Sequence, residues 1–343
     1  MICAPVLPLL LLVSCSSSPA AVDAALEGGT VDTLDREAAV IDAPRPDAVT
    51  PSDVLRAEAR QDGLPACPQF AAGVKSGNVA SSLVKEASGL IVSRKNPGVL
   101  WAHNDSGDTA RMFALSAQGT HLGVYNFGGA QAVDWEDMAS GPGPVAGAQY
   151  LYAGDIGDNG QARANIAVYR VQEPAVSATQ SPVTVTLQGV EKLAFVYPDG
   201  PQNAETLLVD PQNGDLYIVS KASSGASKVY LSASPQDPAA TRTFTKVTTL
   251  QFGTGSLAHT GALTTGGDVS PDGTEVIVRG YSGAALWRRT PGVPLWQAFA
   301  SAPCQVPLAT EPQGETLSFD AQGKGYYTLS EGTSQPIYFF ARK

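Results

Sequence analysis

Two short stretches of the chain concentrate oxygen donors at a spacing that suits a hard cation. Asn104-Asp105-Ser106-Gly107-Asp108 and Gly154-Asp155-Ile156-Gly157-Asp158-Asn159 both read Asp-x-Gly-Asp. Each puts two carboxylates within one turn, and the glycine lets the backbone bend between them. Calcium takes roughly six to eight oxygens from carboxylates, carbonyls and water, which makes Asp105, Asp108, Asp155 and Asp158 candidate ligands for it. Neither copy runs on to the terminal Glu of an EF-hand loop, and the same residues also serve as plain turns. Other chemical signatures are missing. His103, His121 and His259 are the only histidines, and none is spaced with Cys or Glu as zinc requires. No nucleophile elbow, phosphate-binding loop or dinucleotide fingerprint occurs.

Further acids and a few bases recur at equivalent places because the chain repeats. Glu205-Thr-Leu-Leu-Val-Asp210 and Glu315-Thr-Leu-Ser-Phe-Asp320 share Glu-Thr-Leu and a later Asp, and each leads through a Gly-containing turn into a second β-rich run. Weaker copies begin at Glu86 and Asp134, and a fifth, from Asp268, keeps the hairpin. Runs of β-branched and aromatic residues, broken by Gly, Pro, Asn and Asp and lacking helical periodicity, predict an all-β domain. Anchors at Ser88, Glu136, Glu205, Thr265 and Glu315 stand 48, 69, 60 and 50 residues apart. Several short strands at such spacing predict a five-bladed β-propeller, with six blades as the alternative if the longest interval hides a degenerate one. The last unit ends at Pro336-Ile-Tyr-Phe-Phe-Ala341 without a fourth strand. Residues 70–84 are expected to supply it, so that an N-terminal strand pairs with the C-terminal blade and closes the ring.

That architecture selects one face. In a blade the innermost strand runs antiparallel to the second, so the start of the first and the end of the second lie together. Strand-one starts supply Glu86, Ser88, Asp134, Glu136, Asn203, Glu205, Gln313 and Glu315; strand-two ends supply His103, Asn104, Asp105, Asp155, Lys221, Arg279, Tyr281 and Glu331. All converge on the mouth of the central channel. Glu86, Glu136, Glu205, Lys221, Arg279, Glu315 and Glu331 are the candidate ligand-binding residues there, for a divalent cation, a phosphorylated or sugar-like ligand, or a hydrolytic water. The bland reading of any one of them is a polar cap on a strand end. Trp101, Trp135, Trp287 and Trp296 are expected to fill the spaces between blades.

Residues 4–13 form an apolar run that stops at Ser14-Cys15 and is followed by three serines. This resembles the signal of bacterial lipoproteins, although Met1-Ile2-Cys3 lacks the basic residue usual before the apolar run. The resemblance implies a signal peptide over residues 1–14, lipidation of Cys15, and a protein anchored to the bacterial cell envelope without spanning a membrane. From residue 16 to residue 66 there are ten acids, four bases and no aromatic residue, a composition that cannot bury enough apolar area to offset its ordering entropy. Residues 15–66 are accordingly expected to be a disordered acidic tether, and residues 67–343 the propeller. With Cys3 removed and Cys15 lipidated, Cys67 and Cys304 are the remaining thiols in an oxidising compartment, and a disulfide between them is expected beside the closure. The formal charge of −10 argues against a nucleic-acid partner, and a monomer is expected.

The phrases Glu-Ala-Ser-Gly-Leu, His-Asn-Asp-Ser-Gly-Asp, Asp-Trp-Glu-Asp and Gly-Asp-Ile-Gly-Asp-Asn, within residues 83–343, resemble a group of exported bacterial β-propellers loosely similar to phytase-like and gluconolactonase-like propellers. The resemblance speaks for architecture and transfers no catalytic residue. Three functions are compatible with the acidic mouth. The first is ligand binding, with calcium as the candidate cofactor. The second is calcium-assisted hydrolysis of a phosphate ester or lactone, with Lys221 or Arg279 neutralising substrate charge. The third is a scaffold that binds other proteins.

Overall fold

A computed structural model describes residues 66–343; the signal-like segment, Cys15 and the rest of the expected tether lie outside the described residues. Five small sheets form a ring, a five-bladed β-propeller. Blade 1 comprises Ala87–Val92, Val99–Asn104, Arg111–Ser116 and His121–Phe127 from the axis outward. Blade 2 comprises Trp135–Pro142, Gln149–Asp155, Ile166–Gln172 and Glu191–Val196; blade 3, Ala204–Val209, Leu216–Ser220, Ala226–Ser232 and Thr245–Gln251. Blade 4 comprises Thr264–Val269, Glu275–Gly280, Ala284–Arg288 and Cys304–Val306. Blade 5 comprises Gly314–Phe319, Gly325–Ser330 and Pro336–Ala341, completed at its outer edge by Val74–Asn78. The innermost strands neighbour one another in chain order, and the fifth returns to the first.

Closure follows the expected route. Val74 pairs antiparallel with Phe339 and Asn78 with Pro336, and Cys67 is disulfide-bonded to Cys304, the first residue of the outer strand of blade 4. The long interval between the anchors of blades 2 and 3 holds no sixth blade. Val183–Leu187 leaves blade 2 to pair in parallel with His121–Phe127 at the rim of blade 1. Arg242–Thr243 likewise leaves blade 3 to pair with the outer strand of blade 2.

Inner strands are buried on both faces, so they lack the polar-out alternation of a solvent-facing strand, and their Ser, Thr and Glu residues are buried along with the apolar ones. In blade 3, Leu207 and Val209 face blade 2 while Leu208 faces blade 4. Trp101 and Trp135 fill the space between blades 1 and 2, and Trp287, with Trp296 against it, fills that between blades 3 and 4. The Asp that recurs after Glu-Thr-Leu sits at the end opposite the mouth. Asp210 Oδ1 accepts the Gln212 N–H at 3.0 Å, and Asp320 Oδ1 accepts those of Gln322 and Lys324 at 3.2 and 2.6 Å, fixing the tight turn into strand two.

Candidate functional site

The five repeat anchors occupy one structural position. Ser88, Glu136, Glu205, Thr265 and Glu315 are each the second residue of the innermost strand of their blade. In every blade the pairing with strand two slips at that residue, between Ala87 and Gly89, Trp135 and Met138, Ala204 and Thr206, Thr264 and Gly266, and Gly314 and Thr316. A β-bulge leaves the extra residue out of the ladder and redirects its side chain. Repeated five times, it brings the buried anchors together across blades: Ser88 Oγ donates to Glu136 Oε2 at 3.2 Å, and Thr265 Oγ1 donates to the Gly314 carbonyl at 3.2 Å.

Three carboxylates gather beside the first two anchors. Asp105 follows strand two of blade 1, Asp134 precedes the inner strand of blade 2, and Glu136 is that blade's anchor; one oxygen of each lies within 4.8 Å of the others. Burial, with the charges of Glu315, Asp134 and Glu86, pushes Asp105 up to about 6. Burial also raises Asp134, with Asp155 and Asp158 adding to the effect against the nearby Arg163. Glu136 is pushed up to about 11 by burial and by the charges of Glu205, Asp105, Asp134 and Glu315. Ionising the three together is thus costly without a positive charge among them, the electrostatic condition of a cation site.

The second Asp-x-Gly-Asp contributes through its glycine. A Cβ at Gly157 would lie 2.3 Å from Glu136 Oε1 and 2.5 Å from Asp134 Oδ2, so the bare Cα makes the floor on which both carboxylates rest. Gly107 in the first copy has a φ of +88° and open space around it, and serves the turn alone. For a calcium ion held by the cluster, the two glycines should respond to alanine in opposite ways. Gly157→Ala is expected to keep the fold, since its backbone is not left-handed, and to lower calcium affinity by at least about tenfold through displaced ligands. Gly107→Ala is expected to destabilise by about 1 kcal/mol and to leave calcium affinity unchanged. Calorimetric titration and thermal melts of the two variants check this; equal affinity for calcium in both variants would contradict it.

The structure separates the other candidate ligands. Asp108 turns back on its own loop, taking the Asn104 Nδ2–H at 2.7 Å and pairing with Arg111 at 2.7 Å. Asp155 accepts the Asp134 N–H at 3.0 Å and pairs with Arg163 at 2.9 Å. Asp158 is buried and caps a turn through the Ala162 and Arg163 N–H groups, at 2.9 and 2.8 Å. Of the four aspartates marked by the tandem motif, only Asp105 belongs to the cluster, and Asp134 and Glu136 complete it. Their Asp-x-Glu spacing, at the entry to one inner strand, was the available signal.

Across the mouth a polar chain joins blades 3, 4 and 5. Lys221 Nζ lies 2.7 Å from Glu205 Oε1 and donates to Tyr281 Oη at 3.1 Å, and Tyr281 Oη donates to Glu315 Oε1 at 2.9 Å. Burial opposes the charge on Lys221, but the Glu205 carboxylate outweighs it and holds the ammonium above its ordinary value. Burial pushes Glu205 up to about 7, with Lys221 opposing and Glu315 and Asp105 reinforcing. Glu331 is pushed up to about 8 by burial, by its hydrogen bond with Glu315, and by the charges of Glu315, Asp105 and Glu86. Glu315 is 3% exposed, and its Oε2 receives no hydrogen bond from a backbone N–H, amide or hydroxyl. Glu331 can donate to Glu315 only while it keeps a proton. Glu86 is exposed at the rim.

Arg279 does not offer its charge to the mouth. Its side chain is 1% exposed, and Nη1 reaches Glu311 Oε2 and the Thr316 carbonyl, each at 2.9 Å. Below the anchors the shaft is closed. Asp137 is fully buried; its Oδ2 accepts the Leu207 and Gly267 N–H groups of blades 3 and 4, at 3.1 and 3.2 Å, and its Oδ1 that of Met138 at 2.8 Å. At the far end Arg94 reaches across from blade 1 to the Val269 carbonyl of blade 4 at 2.8 Å. The central shaft is therefore filled below the anchors, and the mouth does not lead through the ring. No family model and no curated protein matches the chain, so fold and site stand on this geometry, and the likenesses to lipoprotein signals and to phytase-like or gluconolactonase-like propellers gain no support from relatives.

Proposed function

We propose that the protein is an envelope lipoprotein, monomeric and tethered through Cys15, whose propeller binds a ligand at its mouth with the help of a divalent cation, calcium by ligand chemistry. What carries the reading is the convergence of Asp105, Asp134 and Glu136 within 4.8 Å on the bare Cα of Gly157. Three carboxylates on one side leave coordination positions of a hard cation facing the mouth, where a ligand's oxygens can complete the shell. The disulfide fits an oxidising, extracytoplasmic setting, and among the described residues no helix is long and apolar enough to cross a membrane.

Binding is favoured over hydrolysis by the state of the two bases. The hydrolytic alternative assigns Lys221 or Arg279 to neutralise substrate charge beside the metal. Lys221 is engaged by Glu205 and Tyr281, and Arg279 is sealed against Glu311. Calcium is expected to raise the melting temperature of the wild-type domain and a chelator to lower it, by mass action on the native state. Asp134→Asn should abolish the response while the melt without calcium stays within a few degrees. A melting temperature indifferent to millimolar calcium would refute the reading.

A further inference from the structure

We propose that Asn159 is a site of spontaneous covalent modification, closing a succinimide ring with the Gly160 nitrogen and reopening to aspartate or isoaspartate. The proposal is independent of the cation reading. The chain holds two Asn-Gly pairs, Asn159-Gly160 and Asn213-Gly214, and glycine is the neighbour that least hinders such a closure. The fold treats the two pairs in opposite ways. Asn159 and Gly160 are both exposed in the loop between Gln149–Asp155 and Ile166–Gln172, and among the described residues the Gly160 N–H donates no hydrogen bond. A Cβ on Gly160 would meet nothing within 4 Å, so the attacking nitrogen stands in open space. The Asn159 amide is held by its oxygen alone. Asn203 Nδ2 donates to Oδ1 at 3.1 Å, which draws electron density from Cγ and leaves Nδ2 unbonded for departure. Asn203 is itself fixed, its Oδ1 accepting the Asp158 N–H at 2.8 Å.

Asn213-Gly214 has the same sequence and none of this freedom. Gly214 is buried, and its N–H donates to the Asp210 carbonyl at 2.8 Å. The Asn213 amide is clamped at both ends on Asp215, Nδ2 donating to Oδ2 and Oδ1 accepting the backbone N–H, each at 2.9 Å. Closure there must break three hydrogen bonds against one at Asn159, and each is worth roughly a few-fold in rate. The steps need only water and base. Base removes the Gly160 N–H proton, the nitrogen bonds to Asn159 Cγ, and the Cγ–Nδ2 bond breaks with release of ammonia, protonated by water. Water then opens the imide. Cleavage at Cγ restores the chain as aspartate, whereas cleavage at the Asn159 carbonyl carbon leaves the chain running through Cγ as isoaspartate. Either product adds a negative charge next to Asp158, in the turn that Asn203 ties to the inner strand of blade 3.

The test incubates the wild-type propeller at mildly alkaline pH and follows both pairs by peptide mass spectrometry, with enzymatic methylation reporting isoaspartate. In the folded protein Asn159 is expected to convert at least about tenfold faster than Asn213; in denaturing urea, where those hydrogen bonds are gone, the two should convert at similar rates. Gly160→Ala, at a backbone that is not left-handed, is expected to melt with wild type and to slow conversion of Asn159 by at least about tenfold, because a Cβ crowds the attacking nitrogen. No conversion of Asn159 in the folded protein, equal rates at both pairs there, or a Gly160→Ala variant that converts as fast as wild type overturns the proposal. Protection of Asn213 that persists in urea overturns it as well, since the fold would then not be the cause.

Discussion

Arg279→Met is expected to destabilise the propeller by about 3 to 5 kcal/mol, which for a domain of this size lowers the melting temperature by on the order of 10 °C. The side chains of Arg279 and Glu311 are 1% and 2% exposed and lie 2.9 Å apart. Removing the guanidinium leaves the Glu311 carboxylate buried with only the Thr328 hydroxyl, at 2.6 Å, as a strong donor, and orphans the Thr316 carbonyl. An uncompensated buried charge costs several kcal/mol, far more than the lost attraction would suggest. The double variant Arg279→Met with Glu311→Leu should recover most of the loss, because an apolar pair of similar volume avoids desolvating either charge. Denaturant unfolding of the three variants measures this, and a single substitution costing less than about 1 kcal/mol would show that Arg279 is not committed to the interior.

Loss of the disulfide is expected to be comparably severe. Cys67 and Cys304 are 237 residues apart, and the loop-entropy model gives about 5 kcal/mol for so long a closed loop. Geometry concentrates the effect at one seam. The segment between Cys67 and the closing strand is held to blade 5 by Val74–Asn78 and by the Phe70 bridge to Arg342, with Phe70 packed edge-on to Tyr326 at 4.9 Å. Without the covalent link this outermost strand must hold by those contacts alone. Cys67→Ser with Cys304→Ser should therefore open first at Val74–Asn78 and Pro336–Ala341, seen as early loss of amide-exchange protection there while blade 2 stays protected. Uniform loss of protection across all blades would contradict that order.

How much of this was legible depends on which interactions are local. Blade number, the closing strand and the disulfide follow from repeat spacing and from where the cysteines fall, and the structure bears them out. The anchors Ser88, Glu136, Glu205, Thr265 and Glu315 could be aligned by eye, but the bulge that turns them inward has no sequence signal of its own, because it consists of one residue skipped in pairing. The twin Asp-x-Gly-Asp motifs look alike and differ in role. Gly107 satisfies a positive φ, whereas Gly157 makes room for two carboxylates from residues 134 and 136, a fact of tertiary packing. Arg279 misled for the same reason, since its partner Glu311 comes from the segment leading into the next blade.

The most direct measurement of the central claim is a calorimetric calcium titration of the wild-type propeller beside Glu136→Gln. Glu136 sits at the centre of the crowd: burial and four neighbouring carboxylates push it up to about 11, so a neutral amide should leave the protein without calcium at least as stable as wild type. The same change removes a charged ligand from the cluster with Asp105 and Asp134. The account predicts one calcium bound per wild-type chain and at least about tenfold weaker binding by a Glu136→Gln protein that melts no lower than wild type. Wild-type protein that takes up no calcium at millimolar concentration, or a Glu136→Gln variant that binds it as tightly as wild type, would contradict the account.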